Sequence, residues 1–370
     1  MKVLYISNSR IPTRKAHGAQ VMHMCSAFVE NGAEVQLVVP GKRNFLKTDP
    51  FEYYGIEKNF TVTALPIPDL GSRTEHLSTV MLILDVVFFS LALALSRVVR
   101  SGDIVYCRDY PLLLLFSPRR NTVVYEIHDI PRKKGVFLRA LKHTTHIIAI
   151  TEGLKKELVA LGIDASRILV AHDAVRLEDF SHPESRERAR RRLGLPLDKK
   201  IALYIGRIDG WKGTDTFFEA STKLSPDIEA AVIGGEEEQV PELKKKYPGV
   251  HFLGARPYRE LADNQAAADV LVLPNTARFD ISSKYTSPLK LFSYMASGVP
   301  IVASDVPAIR EVVDHTSALL VAPDDAGALA RGIEEALSDA SANGKRERAR
   351  AIVQKYTWRA RARTILECLK

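Results

Sequence analysis

Short, doubly apolar runs alternate with helical stretches along this sequence, and no other feature restricts the fold as much. Strands are read at Lys2–Ser7, Glu34–Pro40, Val62–Ile67, Asp103–Arg108, Thr122–His128, Ile147–Thr151 and Ile168–His172, then at Ile201–Gly206, Ala230–Gly234, Val250–Leu253, Val270–Pro274, Pro300–Ala303 and Leu319–Ala322. Runs such as "VLVL" carry no polar face, so both faces must be covered. That is the condition of a strand inside a parallel sheet flanked by helices. Helices are expected between the strands, for example over Ala19–Asn31, stopped by Gly32. The alternation pauses once, over Arg176–Lys200, which is polar, carries two prolines and lacks a strand. We read that stretch as a connection followed by a basic helix. The expected class is therefore α/β, as two doubly wound units of one architecture. Ligands of such sheets bind beyond the carboxyl ends of the strands, so two facing units would share a cleft.

Bulk properties bound what such a chain can do. Its 370 residues suffice for two domains, and 46% apolar with 26% charged residues is a globular composition. A formal charge of +8 favours anionic partners: a phosphorylated ligand, an acidic membrane face or nucleic acid. Basic and aromatic residues are not interleaved as a nucleic-acid binder requires, so nucleic acid is not expected as a partner. Cys25, Cys107 and Cys368 are too scattered for a disulfide framework or a metal site, which fits a reducing cytosol. The opening "MKVLYISNSR" reads as a strand rather than a signal peptide. The long apolar segment Leu77–Ser96 is interrupted by Asp85, which a lipid-spanning helix tolerates poorly. We expect a buried crossover helix there, with a membrane-surface helix as the alternative.

Candidate chemistry lies at strand ends. After Ile201–Gly206 comes "GRIDGWKG", where Arg207 and Lys212 offer two cations in a loop kept slim by Gly210 and Gly213. In "SPLKLFSYMASGVPIVASD", Ser287 suits an N-cap, Pro288 the first helical position, and Gly298 the stop. The first turn, Ser287, Pro288, Leu289 and Lys290, presents backbone N–H groups, the positive dipole end and one ammonium. Together these make an anion site suited to a diphosphate. In the first half, Gly18 is expected to admit a ligand before the helix begins, without any G-x-G-x-x-G fingerprint. His17, and His128 beside Asp129, sit in loops that could face a sugar. Each of these residues could equally serve a local structural purpose, as could Asp173. The arginines of "RERARRR" are expected to form a solvated face. "PRKKGVFLRALKH", Pro131 to His143, could be a plain surface helix or rest on an anionic membrane.

These residues carry a family resemblance. "GRIDGWKGTDTFFEA" is similar to the G-R-x-x-x-x-K-G loop of the retaining glycosyltransferases of family 4, group 1 type, which have the GT-B double-Rossmann fold. "HFLGARPYRELADNQAAADVLVLPN" and "SPLKLFSYMASGVPIVASD" resemble two further stretches of that family. "IPTRKAHGAQVMHMCSAFVENGAEVQLV" resembles bacterial members that carry P-T-x-x-A-H-G. The resemblance implies an acceptor domain over 1–175 and a nucleotide-sugar donor domain over 176–354, with a terminal helix over about 355–370 packing back on the first. By the same resemblance Arg207 and Lys212 hold the donor diphosphate, Ser287–Lys290 meets phosphates and sugar, Gly18 lies near the diphosphate, and His128 near the reacting sugar.

The implied reaction moves a hexosyl-type sugar from a nucleoside diphosphate sugar to a glycan or lipid-linked acceptor hydroxyl, with retention and without metal or other cofactor. The catalytic group is His128, Arg207 and Lys212, with the leaving phosphate taking the acceptor's proton. His17 and Asp129 are acceptor-side candidates, with the acceptor expected against Arg10–Ala16 and Arg132–Arg139. Cell-surface glycan synthesis at the inner face of the cell membrane, by a cytoplasmic enzyme held peripherally on anionic lipid, is the expected setting. Two departures stand out. The Glu-x7-Glu of many members is Tyr285 and Ser293 here, which replaces a ribose-binding carboxylate by a hydroxyl that makes at most a weaker contact. Arg176 stands where Asp is common. They leave a second reading open: a catalytically silent homologue serving as a partner subunit.

Overall fold

The computed structural model describes residues 1–44, 46–69, 79–235, 238–339 and 342–370. All thirteen expected strands form, in two sheets. The first contains β1 (Lys2–Ile6), β2 (Glu34–Gly41), β3 (Thr61–Pro66), β4 (Ile104–Cys107), β5 (Thr122–Ile127), β6 (His146–Ala149) and β7 (Ile168–Val170). Its order is β3-β2-β1-β4-β5-β6-β7. The second contains β8 (Lys200–Ile205), β9 (Ile228–Ile233), β10 (Val250–Phe252), β11 (Val270–Leu273), β12 (Ile301–Ser304) and β13 (Leu319–Val321), ordered β10-β9-β8-β11-β12-β13. Every strand pairing within the two sheets is parallel, with β1 against β4 and β8 against β11 marking the switch points.

Two compact units result, one from Met1–His172 with Trp358–Lys370, the other from Asp173–Thr357. In the first, Val3 to Ile6 of β1 are completely buried, as a strand covered on both faces must be. The terminal helix Trp358–Cys368 packs on the helix Ala16–Glu30; Trp358 stacks on His23 at 5.8 Å, and Asn31 Nδ2 donates to the Arg359 carbonyl. In the second unit the period-two alternation sorts β8 cleanly. Ile201 and Leu203 enter one core with Leu271, Leu291 and Met295, whereas Ala202 and Tyr204 enter the other with Phe217, Phe218 and Val272.

Three local expectations are revised. The first helix begins at Ala16, so Gly18 lies inside it rather than before it. A Cβ on Gly18 would meet Tyr54 Oη at 2.1 Å and Thr13 Cγ2 at 2.5 Å, so this glycine is already required by packing. The helix Thr79–Ser96 is not a buried crossover. Among its described side chains only the stripe Asp85, Phe89 and Leu93 is buried, and Asp85 pairs with Lys42, while Ile83, Val87, Leu91 and Leu95 are 58%, 44%, 53% and 80% exposed. It fails as a core helix because, among the described residues, the edge strand β3 and the 3-10 turn Tyr110–Leu115 cover only one side of it. No helix among the described residues is long and apolar enough to cross a membrane.

The arginine-rich helix Arg186–Leu193 is likewise not a uniformly solvated face. Arg190 is buried and pairs with Asp269, its Nε donating to the Ala267 carbonyl and Nη1 to the Lys199 carbonyl. Asp269 Oδ2 also accepts from the Ile201 amide at 2.7 Å, so the pair ties this helix to the start of β8. Removing one member strands a buried charge. Asp269→Ala should therefore lower unfolding stability by about 3–5 kcal/mol, read as a lowered urea midpoint; an unshifted midpoint would show that the pair contributes nothing.

Candidate functional site

The second unit gathers its cations at the switch point. β8 ends at Ile205 and the chain turns through Gly206, whose φ of +150 keeps Lys290 Nζ and Tyr204 Oη each 3.0 Å from where a Cβ would stand. The Tyr204 hydroxyl donates to the Arg207 carbonyl at 2.9 Å, which holds the loop over the strand end. Lys290 Nζ lies over the Tyr204 ring at 4.0 Å, and Lys212 Nζ over Trp211 at 4.1 Å. Gly213 closes the loop at φ +72, its Cα so near the Pro274 carbonyl after β11 that a Cβ would stand 1.7 Å from the oxygen. Gly234 and Gly235 after β9 complete the wall; a Cβ on Gly234 would stand 2.1 Å from the Gly206 carbonyl oxygen. Sequence reading passed over these two, although a Gly-Gly pair directly after an apolar strand is a readable sign of close backbone approach.

Little counter-charge balances these cations. Asp209 pairs with Arg207 at 3.5 Å, and Arg207 stays 44% exposed at its side chain. Burial, opposed by Asp209 and assisted by Arg207, brings the Lys212 ammonium down to about 8. Burial and then the neighbouring Lys212 push Lys290 well below the ordinary lysine range. Both shifts record a positive charge held with too few anions around it.

The helix that carries Lys290 starts one residue later than expected. It spans Leu289–Ser297, with Pro288 in the capping position and no side chain capping it. Ser287 is not the cap. It is buried, and its hydroxyl accepts from the Asp173 amide at 2.7 Å. Leu289 and Lys290 thus open an uncapped helix. Ser293 is 2% exposed; its hydroxyl accepts from Gln265 Nε2 at 2.8 Å and donates to the Lys290 carbonyl at 2.9 Å. This hydroxyl is occupied in holding the helix to Gln265, which differs from the open ribose contact expected of it. Tyr285 is buried at the end of the turn Ile281–Tyr285. Arg176 pairs with Asp179 at 3.2 Å.

The first unit brings together a different set at the carboxyl ends of β1, β4 and β5. The Asn8 amide donates to Asp109, and Arg108 donates to Gln20 and to the His17 carbonyl. His128, just past β5, has its Nε2 at 2.7 Å from Glu126 Oε1. Asp129 is exposed, with Oδ1 accepting from the Ile130 amide. So Arg207, Lys212, Lys290 and the turn from Ser287 meet in one unit, and His17, Gly18, His128 and Asp129 lie in the other. Among the described residues no group of three or more His, Cys, Asp or Glu is placed to hold a metal ion.

Known proteins resemble this chain in part of its sequence and in its fold. Residues 199–339 match the family Glycosyl transferases group 1. The two parallel sheets with Rossmann-like halves match GT-B structures: sucrose-phosphate synthase of Thermosynechococcus elongatus at a TM-score of 0.78 and 20% identity, covering 100% of this chain and 98% of that one, and Anabaena HepE in complex with UDP and glucose at 0.76 and 20%, covering 100% and 99%. Residues 199–339 thus resemble the group 1 glycosyltransferases, and the architecture is GT-B, as the sequence motifs led us to expect. Among curated relatives, a D-inositol 3-phosphate glycosyltransferase of Xylanimonas cellulosilytica is 29% identical over 65% of this chain, and a putative teichuronic acid biosynthesis glycosyltransferase of Bacillus subtilis 30% over 53%. The matches span 60% and 48% of the length of those two proteins.

A site with this charge can hold a polyanion such as a diphosphate, and its grip depends on protonation. Lys212 attracts an anion only while protonated, so rising pH through about 8 removes charge from the site. Affinity for inorganic diphosphate, measured by calorimetry from pH 7 to 9.5, should weaken progressively above pH 8. Lys212→Arg should lose much of that dependence because a guanidinium stays protonated. An affinity that is flat with pH in the unaltered protein would refute the assignment.

Proposed function

We propose that this protein is a retaining glycosyltransferase that transfers a hexosyl-type sugar from a nucleoside diphosphate sugar to the hydroxyl of a glycan or lipid-linked acceptor in cell-surface glycan synthesis. The observation that carries the reading is the meeting of Arg207, Lys212 and Lys290 with an uncapped helix start at strand ends walled by glycine. Cations and backbone dipoles fixed beforehand can offset charge growing on a leaving diphosphate without reorganising. That role asks for no metal, and the reading includes none. In this reading the bond from the anomeric carbon to the diphosphate breaks as the new glycosidic bond forms, and the leaving phosphate takes the acceptor's proton. HepE, whose fold this chain shares, has been obtained with UDP-glucose, which supports a nucleotide-sugar donor without fixing its sugar here. His128 is assigned to the sugar, His17 and Asp129 to the acceptor side. Calorimetric titration with UDP, GDP and ADP tests the donor assignment. One nucleotide should bind, and Arg207→Ala/Lys212→Ala should weaken it at least a hundredfold, since charged hydrogen bonds contribute roughly 1.5–3 kcal/mol each. If none binds to the folded protein, the silent partner subunit becomes the better reading.

The same proposal places the enzyme peripherally on an anionic membrane at the cytoplasmic face. What supports this is the outer face of the helix Thr79–Ser96, aliphatic from Val80 to Leu95. The 3-10 turn Tyr110–Leu115, with Leu114 and Leu115 exposed, packs against both that helix and the helix Lys134–Leu141. The latter segment exposes Arg132, Lys133, Lys134, Val136, Arg139 and Lys142 and carries no acidic residue between Pro131 and His143. Aliphatic side chains beside uncompensated cations suit the acyl–headgroup boundary of acidic lipid. Co-sedimentation with vesicles of phosphatidylglycerol and phosphatidylcholine should exceed that with pure phosphatidylcholine. Leu91→Glu/Leu95→Glu should reduce it severalfold, and equal sedimentation of variant and parent would remove this face from the proposal.

A further inference from the structure

The neighbourhood of His128 contains more than an imidazole. Glu126, two residues earlier on β5, is completely buried and accepts four side-chain donors. Gln20 Nε2 and His128 Nε2 meet its Oε1, the latter at 2.7 Å; the Tyr106 hydroxyl and Arg361 Nη2 meet its Oε2, the latter at 3.0 Å. Arg361 comes from the terminal helix Trp358–Cys368, is 6% exposed, and also donates through Nε to the His172 carbonyl at 2.8 Å. Gln20 is itself held by Arg108. A carboxylate only accepts hydrogen bonds, so the ring nitrogen facing it must carry the proton. Nε2 is therefore the N–H of His128, and Nδ1 keeps its lone pair. Among the described residues Nδ1 has no hydrogen-bond partner, and the side chain is 25% exposed.

We propose that Glu126 and Arg361 are positioning residues that lock His128 as the neutral Nε2–H tautomer, so that Nδ1 accepts a hydrogen bond from a hydroxyl of the reacting sugar. This rests on the reading of His128 as a sugar-side residue. The terminal helix then has a chemical duty besides packing: its guanidinium keeps Glu126 ionised, and Glu126 aims the ring. Electrostatics agree with the geometry. Burial raises the Glu126 carboxyl, but Arg361, ahead of His128 and Arg108, pulls it well below the ordinary range. Burial and Arg108 bring His128 down to about 4 against the opposing pull of Glu126, so the ring is neutral at neutral pH. A neutral acceptor does not add positive charge beside an anomeric carbon that is itself becoming positive.

The test is long-range proton–nitrogen NMR of the full chain labelled at histidine nitrogen, with His128 assigned by its loss in His128→Gln. One imidazole should show a protonated Nε2 and a bare Nδ1, unchanged from pH 8 to 5.5. Glu126→Met/Arg361→Met removes both buried charges together; it should give mixed tautomers while leaving the UDP dissociation constant within about twofold. With donor sugar, kcat should fall at least tenfold in that variant at unchanged donor KM, and Arg361→Lys should restore most of it. A protonated Nδ1 in the unaltered protein, titration near the ordinary histidine value of about 6.5, or an unchanged His128 signal in the double variant would each overturn the proposal. The first two need no variant to fold. Absence of any nucleotide binding would instead strike the functional reading and leave the tautomer result standing.

Discussion

Everything in this molecule depends on its strands being parallel. A parallel neighbour can be reached only by a crossover, so each strand returns to start at the same edge, and all carboxyl ends gather at the other. At the switch points the connections after neighbouring strands diverge, and a space opens between them. In the second sheet that space lies between the turn after β8 and the segment after β11, and in the first it lies beyond β1 and β4. The glycines narrow it. Gly213 against Pro274 and Gly234 against Gly206 bring backbone to backbone at distances that any Cβ would prevent. The cations are thus held by strands and close turns rather than by long loops.

The two sites treat buried charge in opposite ways. Around Glu126, donors outnumber the demands of one carboxylate: an amide, an imidazole, a phenol and a guanidinium share its two oxygens. In that network Nδ1 of His128 is left without a hydrogen-bond partner among the described residues. Around Lys212 and Lys290 the balance is reversed. Two desolvated ammonium groups face aromatic rings, with Asp209 the carboxylate that opposes their shifts. Such an arrangement is costly by itself and is relieved by an anion. Charge is thus left largely unbalanced at one set of strand ends and paired at the other.

Much of this was legible in sequence. Thirteen strands were readable because a parallel strand buried on both faces carries an apolar run that no amphipathic helix imitates. Arg207, Lys212 and Lys290 were readable because they follow strand ends or open a helix. The role of Ser293 was not, since the hydroxyl's two hydrogen bonds go to Gln265, twenty-eight positions away, and to a carbonyl one turn back. Nor was Ser287, whose capping pattern is local while its actual partner, the Asp173 amide, is remote. The helix Thr79–Ser96 has an apolar pattern that fits burial equally well; only the packing of Asp85, Phe89 and Leu93 reveals which side is covered.

The sequence by itself determined the alternation of elements, hence the parallel sheets, the edge where ligands gather and the cations present there, because periodicity and strand-end position are local properties of the chain. Tertiary structure alone decided which of those residues act together. Arg361 reaches Glu126 across 235 positions, Arg190 reaches Asp269 across 79, and a Tyr204 ring comes to lie beneath Lys290. Such pairings arise only when crossovers bring remote segments to one strand end, and the free energy of a buried charge depends on whatever meets it there.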